Sequence, residues 1–210
     1  MDDKIKNFLK NFKWLGHDTF LYDGKVKIYF DPYQLMITEP KADIILTTHP
    51  HFDHFSKDDI MKIKKDKTNI VATPDSENLG NTIYMKPYET KEILGFKIQS
   101  VPAYNTNKEF HPKKNNWLGY IIEIEGLKIY HAGDTDNIPE MKDYKCDIAL
   151  LPVSGTYVMT SDEAVDAAIK INPKLAIPMH FGAIVGSKKD AENFKKKLEG
   201  KIEVIILEKV

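Results

Sequence analysis

The chain has 210 residues, enough for one core of ordinary size, and we expect a single domain over residues 1–210. Hydrophobic residues make up 42% and charged residues 29%, so the composition excludes a disordered chain. The 30 basic and 31 acidic residues give a net charge of -1. This balance argues against nucleic acid or an anionic membrane as a partner, and it leaves a small molecule as the expected one.

Residues 1–14, MDDKIKNFLKNFKW, predict an amphipathic helix. Apolar side chains recur at Ile5, Phe8, Leu9 and Phe12, which is helical spacing rather than the pattern of a signal peptide. No apolar run approaches the ~20 residues that a membrane span needs. The single Cys146 excludes an internal disulfide bond. We therefore expect a cytoplasmic protein without membrane attachment.

Strand and helix patterns alternate along the rest of the chain. A hairpin turn is expected at Asp23-Gly24. The apolar run ADIIL (residues 42–46) predicts a buried strand, and Ser56 is expected to cap the helix that follows. A sheet-forming middle leads to a final third of alternating strands and helices, which ends in a predicted strand at residues 202–210. This order predicts an α/β fold in which helices pack on sheets as a layered sandwich.

The stretch THPHFDH (residues 48–54) places three of the seven histidines and an aspartate directly after the strand predicted at residues 42–46. Alternate side chains of an extended stretch point the same way, so His49 and His51 can bind one ion together. Asp53 and His54 follow the turn and could reach a second ion, which lies about 3.5–4 Å away in typical two-metal sites. Neutral imidazole and carboxylate suit zinc, manganese, iron or nickel.

Two later strand ends carry further donors. KIYHAGDTD ends one strand with His131 and Asp134, and LAIPMHFG ends another with His180. Functional groups gather in the loops at strand ends of layered α/β folds. A lone histidine is more often a core or turn residue than a ligand, but three junctions with the same chemistry favour one shared metal site.

These segments resemble the motifs of the metallo-β-lactamase superfamily. HPHFDH resembles its H-x-H-x-D-H motif, GDTD its bridging-aspartate motif and IPMHFG its final histidine motif, in the same order. The resemblance extends from WLGHDTFLYDG to IPMHFG, and it is closest to small metal-dependent hydrolases of the lactonase-like branch. It implies a four-layer αββα sandwich that holds two divalent metal ions, with zinc as the first expectation.

Carried over position by position, the resemblance also implies ligands for both ions. The first ion would be bound by His49 and His51, the second by Asp53, His54 and His180, and Asp134 would bridge them.

The first ion lacks one histidine of the family pattern. Asn105 stands at the expected position, in VPAYNTNKEFHPK. His111 is our preferred replacement, and His131 is a weaker one because the residue at its position need not bind metal in related chains. Without a third histidine the first ion would be bound less tightly, and a site with a single ion would be the alternative.

The implied chemistry is hydrolysis by a metal-bound hydroxide, because two cations lower the pKa of water from ~15.7 toward ~7. Asp53 and Asp134 are the expected catalytic residues, and Asp53 would pass a proton to the leaving group. His17 and Asp31 are expected to hydrogen-bond to ligands, although Asp31 fits equally well as the acceptor that fixes the FDP turn. Tyr157 either faces the substrate or packs as an ordinary aromatic.

Three classes of function follow from this pattern. The preferred one is a metal-dependent hydrolase that cleaves an ester, lactone, amide or phosphoester bond of a small molecule. A nuclease or phosphodiesterase of the same fold is the alternative, against which the neutral net charge stands. The third is a di-iron redox or non-catalytic metal-binding protein, since histidine and carboxylate also suit iron. A serine nucleophile is not expected, because Ser154 lacks the G-x-S-x-G elbow.

Overall fold

The computed structural model describes residues 2–210, in which two mixed β-sheets of six and seven strands form the centre. Within this part of the chain, every helix is too short or too polar to cross a bilayer. The helices are α1 (Asp3–Leu9), α2 (Lys57–Ile63), α3 (Ser161–Ile171) and α4 (Lys188–Leu198), with short 3-10 turns at Lys113–Asn115 and Pro139–Asp143. The strands are β1 (Phe12–Gly16), β2 (Thr19–Asp23), β3 (Lys27–Phe30), β4 (Ile44–Leu46), β5 (Asn69–Ala72), β6 (Thr82–Tyr84), β7 (Thr90–Ile93), β8 (Phe96–Pro102), β9 (Leu118–Ile124), β10 (Leu127–His131), β11 (Ile148–Pro152), β12 (Leu175–Met179) and β13 (Glu203–Val204).

Strand direction decides which loops share an edge. The first sheet has the order β1-β2-β3-β4-β5-β6 and the second the order β13-β12-β11-β10-β9-β8-β7. Strands β3 to β6 run parallel to one another, as do strands β10 to β13. Parallel neighbours end at the same edge of their sheet, so the loops that follow β3 and β4 emerge side by side. The loops that follow β10, β11 and β12 do the same in the second sheet.

Side-chain alternation builds the layers. Along β3, Ile28 and Phe30 face the core that the two sheets share, whereas Tyr29 faces a second cluster that includes Ile60 and Ile63 of α2. The outer face of the first sheet is therefore covered by α2. Helices α3 and α4 pack against β11 and β12 on the second sheet. The result is the αββα sandwich that the family resemblance implies.

Two predicted elements are shorter than their sequence patterns. The helix predicted over residues 1–14 begins with Met1, which lies outside the described residues, and α1 ends at Leu9. Phe12 already belongs to β1, but its ring stacks on Phe8 with centroids 4.9 Å apart. The apolar period continues past the helix because the strand folds back into the same core. Likewise, the strand predicted at residues 202–210 is regular only over Glu203–Val204.

Candidate metal centre

Loops from both sheets bring the predicted donors together. The histidine loop follows β4, Asp134 follows β10 and His180 follows β12. Potential ligand atoms fall into three groups, and the atoms of each group lie within 4.8 Å of one another. The groups are His49, His51 and His111; His17, Asp53, His54 and His180; and Asp18, His54, Asp134 and His180.

His111 completes the first group, and Asn105 stands behind it. The side-chain oxygen Oδ1 of Asn105 accepts the backbone N–H of His111 at 2.9 Å and lies 3.1 Å from its Nδ1. This contact directs the Nδ1 proton of His111 toward Asn105 and leaves Nε2 as the free donor atom. The amide of Asn105 in turn donates to Asp136 at 3.1 Å and to the carbonyl of Tyr157 at 3.0 Å. Asn105 therefore positions the histidine instead of replacing it.

Trp117 forms the apolar wall of the first group. Its ring centroid lies 4.8 Å from those of both His49 and His51, and its indole N–H donates to Asp75 at 2.8 Å. Burial holds the pKa of His49 well below its usual value, and burial also lowers the pKa of His51. Both imidazoles are therefore neutral at physiological pH, which is the form that binds metal.

Asp134 belongs to the third group and also contacts the first. Its Oδ2 is 3.1 Å from Nε2 of His111 and 3.2 Å from Nε2 of His180, and its Oδ1 is 3.4 Å from Nε2 of His54. Burial alone would raise the pKa of Asp134, but the His180 and His54 imidazoles hold it well below its usual value. The carboxylate is therefore ionised and contacts a histidine of each group.

Asp31 orients one imidazole in each group. Its Oδ2 lies 2.7 Å from Nδ1 of His54 and also accepts the hydroxyl of Thr48 at 2.7 Å. That hydroxyl is 3.0 Å from Nδ1 of His49. Nδ1 is thus engaged in both histidines, and Nε2 is left to face the centre. Asp31 therefore contacts His54 directly and His49 through Thr48.

His17 and Ser154 hold two further members of the cluster. Nε2 of His17 lies 3.1 Å from Oδ2 of Asp53, a member of the second donor group. The hydroxyl of Ser154 lies 2.8 Å from Nδ1 of His180. The backbone of His180 also donates to the carbonyl of His17 at 3.2 Å. These bonds tie the end of β12 to the turn between β1 and β2.

Three residues of the cluster have left-handed backbone conformations. The φ angles are 53° for His17, 40° for Asp31 and 59° for His180. Such angles are uncommon for residues other than glycine and cost free energy, so the surrounding structure must maintain them. Each residue immediately follows a strand or begins a turn, and the conformation aims its side chain into the cluster.

His131 does not supply a free donor atom to the cluster, and the ring of Tyr157 packs on a neighbouring aromatic side chain. Nε2 of His131 donates to the carbonyl of Asp18 at 2.8 Å, and its Nδ1 accepts the N–H of Gly133 at 3.2 Å. Both ring nitrogens are occupied, so His131 supports the turn that carries Asp18 and has no donor left for a metal. The ring of Tyr157 packs edge-on against Phe110 with centroids 4.7 Å apart.

Sequence reasoning missed four residues of this region: Asp18, Thr48, Trp117 and Ser154. Asp18 and Thr48 each adjoin a predicted site residue along the chain, which was the available signal. Trp117 and Ser154 reach the histidines only through strand pairing, and a single sequence carries no signal for that contact.

The charge balance of the cluster fits divalent cations. Four carboxylates are buried there, and among residues 2–210 their ion pairs are made with histidines alone. Burial opposes protonation of His54, yet Asp134 and Asp31 hold its pKa well above the usual value; Asp134 and Asp18 likewise raise the pKa of His180 to about 9. The space among these buried carboxylates and histidines therefore strongly favours a positive charge. The four carboxylates are Asp18, Asp31, Asp53 and Asp134.

Comparisons with known proteins show the family of the chain. Residues 11–180 match the model of the family described as the β-lactamase superfamily domain. A UPF0173 metal-dependent hydrolase of Thermococcus onnurineus (strain NA1) is 35% identical, over 93% of this chain and 95% of that protein. A crystal structure of a candidate metal-dependent hydrolase from Parabacteroides distasonis ATCC 8503 is 38% identical with a TM-score of 0.83, and covers 93% of this chain and 91% of its own.

A more distant structure shares the fold. A metallo hydrolase from Ignicoccus hospitalis KIN4/I has a TM-score of 0.76 at 23% identity, over 94% of each chain. The chain is thus a metal-dependent hydrolase with a cluster of histidines and aspartates that is compatible with a divalent metal. It belongs to the metallo-β-lactamase superfamily, among the UPF0173 metal-dependent hydrolases.

Proposed function

We propose that this hydrolase uses two divalent cations, with zinc as the first candidate, to cleave an ester, lactone, amide or phosphoester bond of a small molecule. His49, His51 and His111 would hold the first ion, and Asp53, His54 and His180 the second. Asp134 would bridge them. Manganese, iron or nickel would suit the same donors.

One observation carries the proposal. The Nε2 atoms of three histidines lie within 3.4 Å of the Asp134 carboxylate, yet within residues 2–210 none of them forms a hydrogen bond of acceptable geometry. Buried imidazole nitrogens without partners are costly unless something else binds them. Shared cations would satisfy all three at once. The three histidines are His54, His111 and His180.

The chain's own groups would then manage protons and orientation. Bound cations would supply an acidified water and would polarise the substrate oxygen. Burial would raise the pKa of Asp53, but the hydrogen bond from His17 lowers it, so Asp53 is ionised at neutral pH. Its side chain is 13% exposed, which places it where the buried cluster meets solvent. Asp53 can therefore accept a proton from the attacking water and return it to the leaving group.

A small substrate is preferred to a nucleic acid. Lys108 lies on the loop between Asn105 and His111, beside the cluster that a nucleic-acid substrate would have to reach. Its ammonium group is already paired with Asp136 at 2.7 Å. Lys57, on the other side of the histidine loop, pairs with Glu77 at 2.5 Å. Cations that are already paired attract phosphates less strongly.

Metal content and turnover test the proposal together. Protein purified without chelator or added metal is analysed for elements, then assayed on panels of esters, lactones, amides and phosphoesters. We expect about two ions per chain, loss of turnover after chelation and its return with zinc or a competing metal. Asp59→Asn is a control, because Asp59 is a buried aspartate outside the three donor groups. Full turnover by the chelated protein, or no bound divalent metal, would overturn the proposal.

A further inference from the structure

Asp18 is a buried carboxylate that the proposed mechanism does not use. It follows His17 in the turn between β1 and β2, and its side chain is 0% exposed. Neither of its carboxylate oxygens forms a hydrogen bond with any residue of 2–210. A buried ionised carboxylate without a partner carries a large desolvation cost, and a compensating cation removes much of it.

The surroundings of Asp18 point toward the second ion. Asp18 belongs with His54, Asp134 and His180 to one group in which a potential ligand atom of each residue lies within 4.8 Å of the others. The group that contains Asp53 shares the same two histidines. An ion held by His54 and His180 would therefore have Asp53 within reach in one group, and Asp18 and Asp134 within reach in the other.

A purely structural role does not explain Asp18. It caps no helix and accepts no backbone N–H, whereas Asp31 next to it accepts the N–H of Thr48 at 2.8 Å. A protonated Asp18 would leave its own O–H without an acceptor, which is also costly in a buried position. The turn is held independently of the carboxylate, because His131 bonds to the backbone carbonyl of Asp18 at 2.8 Å.

The geometry points to Asp18 as a ligand of the second metal ion, which it would bind from the buried side of the cluster. The inference rests on the proposed function, since it requires that ion. The second ion would then receive a further negative charge from a residue outside the H-x-H-x-D-H segment. Such a charge compensates the dication in a site that is closed to water on that side.

The test compares metal binding by wild type, Asp18→Asn and Asp59→Asn. Calorimetric titration of chelated protein with Zn²⁺ gives the number of ions and their affinities, and the absorption of the Co²⁺ form reports ligand changes. We expect Asp18→Asn to lower the affinity for the second ion at least tenfold. Loss of a residue that only hydrogen-bonds to a metal ligand already lowers metal affinity by about that much. The first ion should bind as in wild type. Asp59→Asn should bind both ions normally.

Stability provides a second readout. The chelated Asp18→Asn protein should melt close to the chelated wild type, but it should gain less thermal stability when Zn²⁺ is added, because stabilisation follows binding affinity. A structural aspartate would lower the melting temperature with and without metal. If Asp18→Asn does not fold, Asp18→Ser replaces it, since serine is smaller and leaves room for water.

The outcomes separate this inference from the proposed function. If wild type binds two ions and a folded Asp18 variant binds both with wild-type affinity, the inference is wrong while the proposed function stands. If wild type binds no second ion, both fail. Selective loss of the second ion in a folded Asp18 variant supports the inference.

Discussion

Asn105 accepts two hydrogen bonds from His111 through one oxygen, at 2.9 Å from the backbone nitrogen and 3.1 Å from Nδ1. This pair occupies the place where the family pattern has one histidine. His111, six positions after Asn105, joins the first donor group, and Asn105 lies against its ring nitrogen. Asp136 anchors Asn105 in turn, because it also accepts the backbone N–H of Thr106 at 2.7 Å.

Replacement of Asn105 tests whether it positions His111 for metal binding. Asn105→Ala removes the acceptor that fixes the His111 ring, and we expect the affinity for the first ion to fall by about 10- to 100-fold. Affinity for the second ion should change much less. Calorimetric titration with Zn²⁺ resolves the two effects. An unchanged first site in the folded variant would mean that packing against Trp117 alone positions His111.

Asp31 should affect both ions, unlike Asn105. Asp31→Asn converts an acceptor of three hydrogen bonds into a group that must donate from one end, which disturbs both Thr48 and His54. Because Thr48 passes the contact on to His49, we expect both affinities to fall by roughly 10- to 100-fold. Elemental analysis after dialysis measures the loss. Selective loss of one ion would contradict the proposed link between the groups.

The sequence indicated the potential metal-binding side chains more completely than the residues that hydrogen-bond to them. His49, His51, His54 and His180 were identifiable because each follows an apolar run that ends in a loop, and strand ends meet at an edge of a sheet. His111 was a preference between alternatives, since only the folded loop shows which residue turns its ring toward the cluster. Local patterns predicted a layered α/β sandwich, and the resemblance carried by the motifs implied its four αββα layers.

Supporting contacts depend on which strands become neighbours. Ser154 and His180 meet because β11 and β12 pair in parallel, with Pro152 opposite Met179. No local sequence pattern predicts the register in which β11 and β12 pair. In the same way Phe12 kept the helical period of α1 while belonging to β1, because two different elements bury their apolar side chains in one core. The apolar period of a single sequence indicates which side chains are buried. It does not show whether each of them belongs to the helix or to the following strand.

Ser154 should act as a positioning residue and not as a nucleophile. Ser154→Ala removes the contact to Nδ1 of His180, and we expect a loss of less than about 100-fold in kcat/KM, mainly through weaker binding of the second ion. Loss of a true serine nucleophile costs on the order of 10⁶-fold. Added Zn²⁺ should restore part of the activity. Abolished turnover at full metal content would contradict this assignment.

Metal binding should release protons from the second group. In the metal-free protein, Asp134 and Asp18 raise the pKa of His180 to about 9 against the effect of burial, and the pKa of His54 is also raised. Both are protonated at pH 7 and must lose a proton before Nε2 can bind a metal. Apparent affinity for the second ion should therefore increase from pH 7 toward pH 9.

The first group should behave differently with pH. Burial lowers the pKa of both His49 and His51, so these histidines are already neutral at pH 7 and have no proton to release. Calorimetry in buffers of different ionisation enthalpy counts the protons released at each binding step. Equal proton release for the two ions, or an affinity for the second ion that does not change with pH, would be inconsistent with these pKa shifts.

Tyr157 contacts Asn105, the residue that supports His111, so its hydroxyl is a candidate contact for the substrate. Its carbonyl is fixed by Asn105 at 3.0 Å and its ring by Phe110, which is itself 49% exposed. Tyr157→Phe keeps both contacts and removes only the hydroxyl. We expect an unchanged melting temperature and metal content, with kcat/KM reduced about 2- to 10-fold, which is the usual effect of one hydrogen bond. Steady-state kinetics on the best substrate of the panel measures this, and Tyr84→Phe, at an exposed tyrosine outside the cluster, is the control. If both variants match wild type, Tyr157 serves only to pack the loop that carries His111.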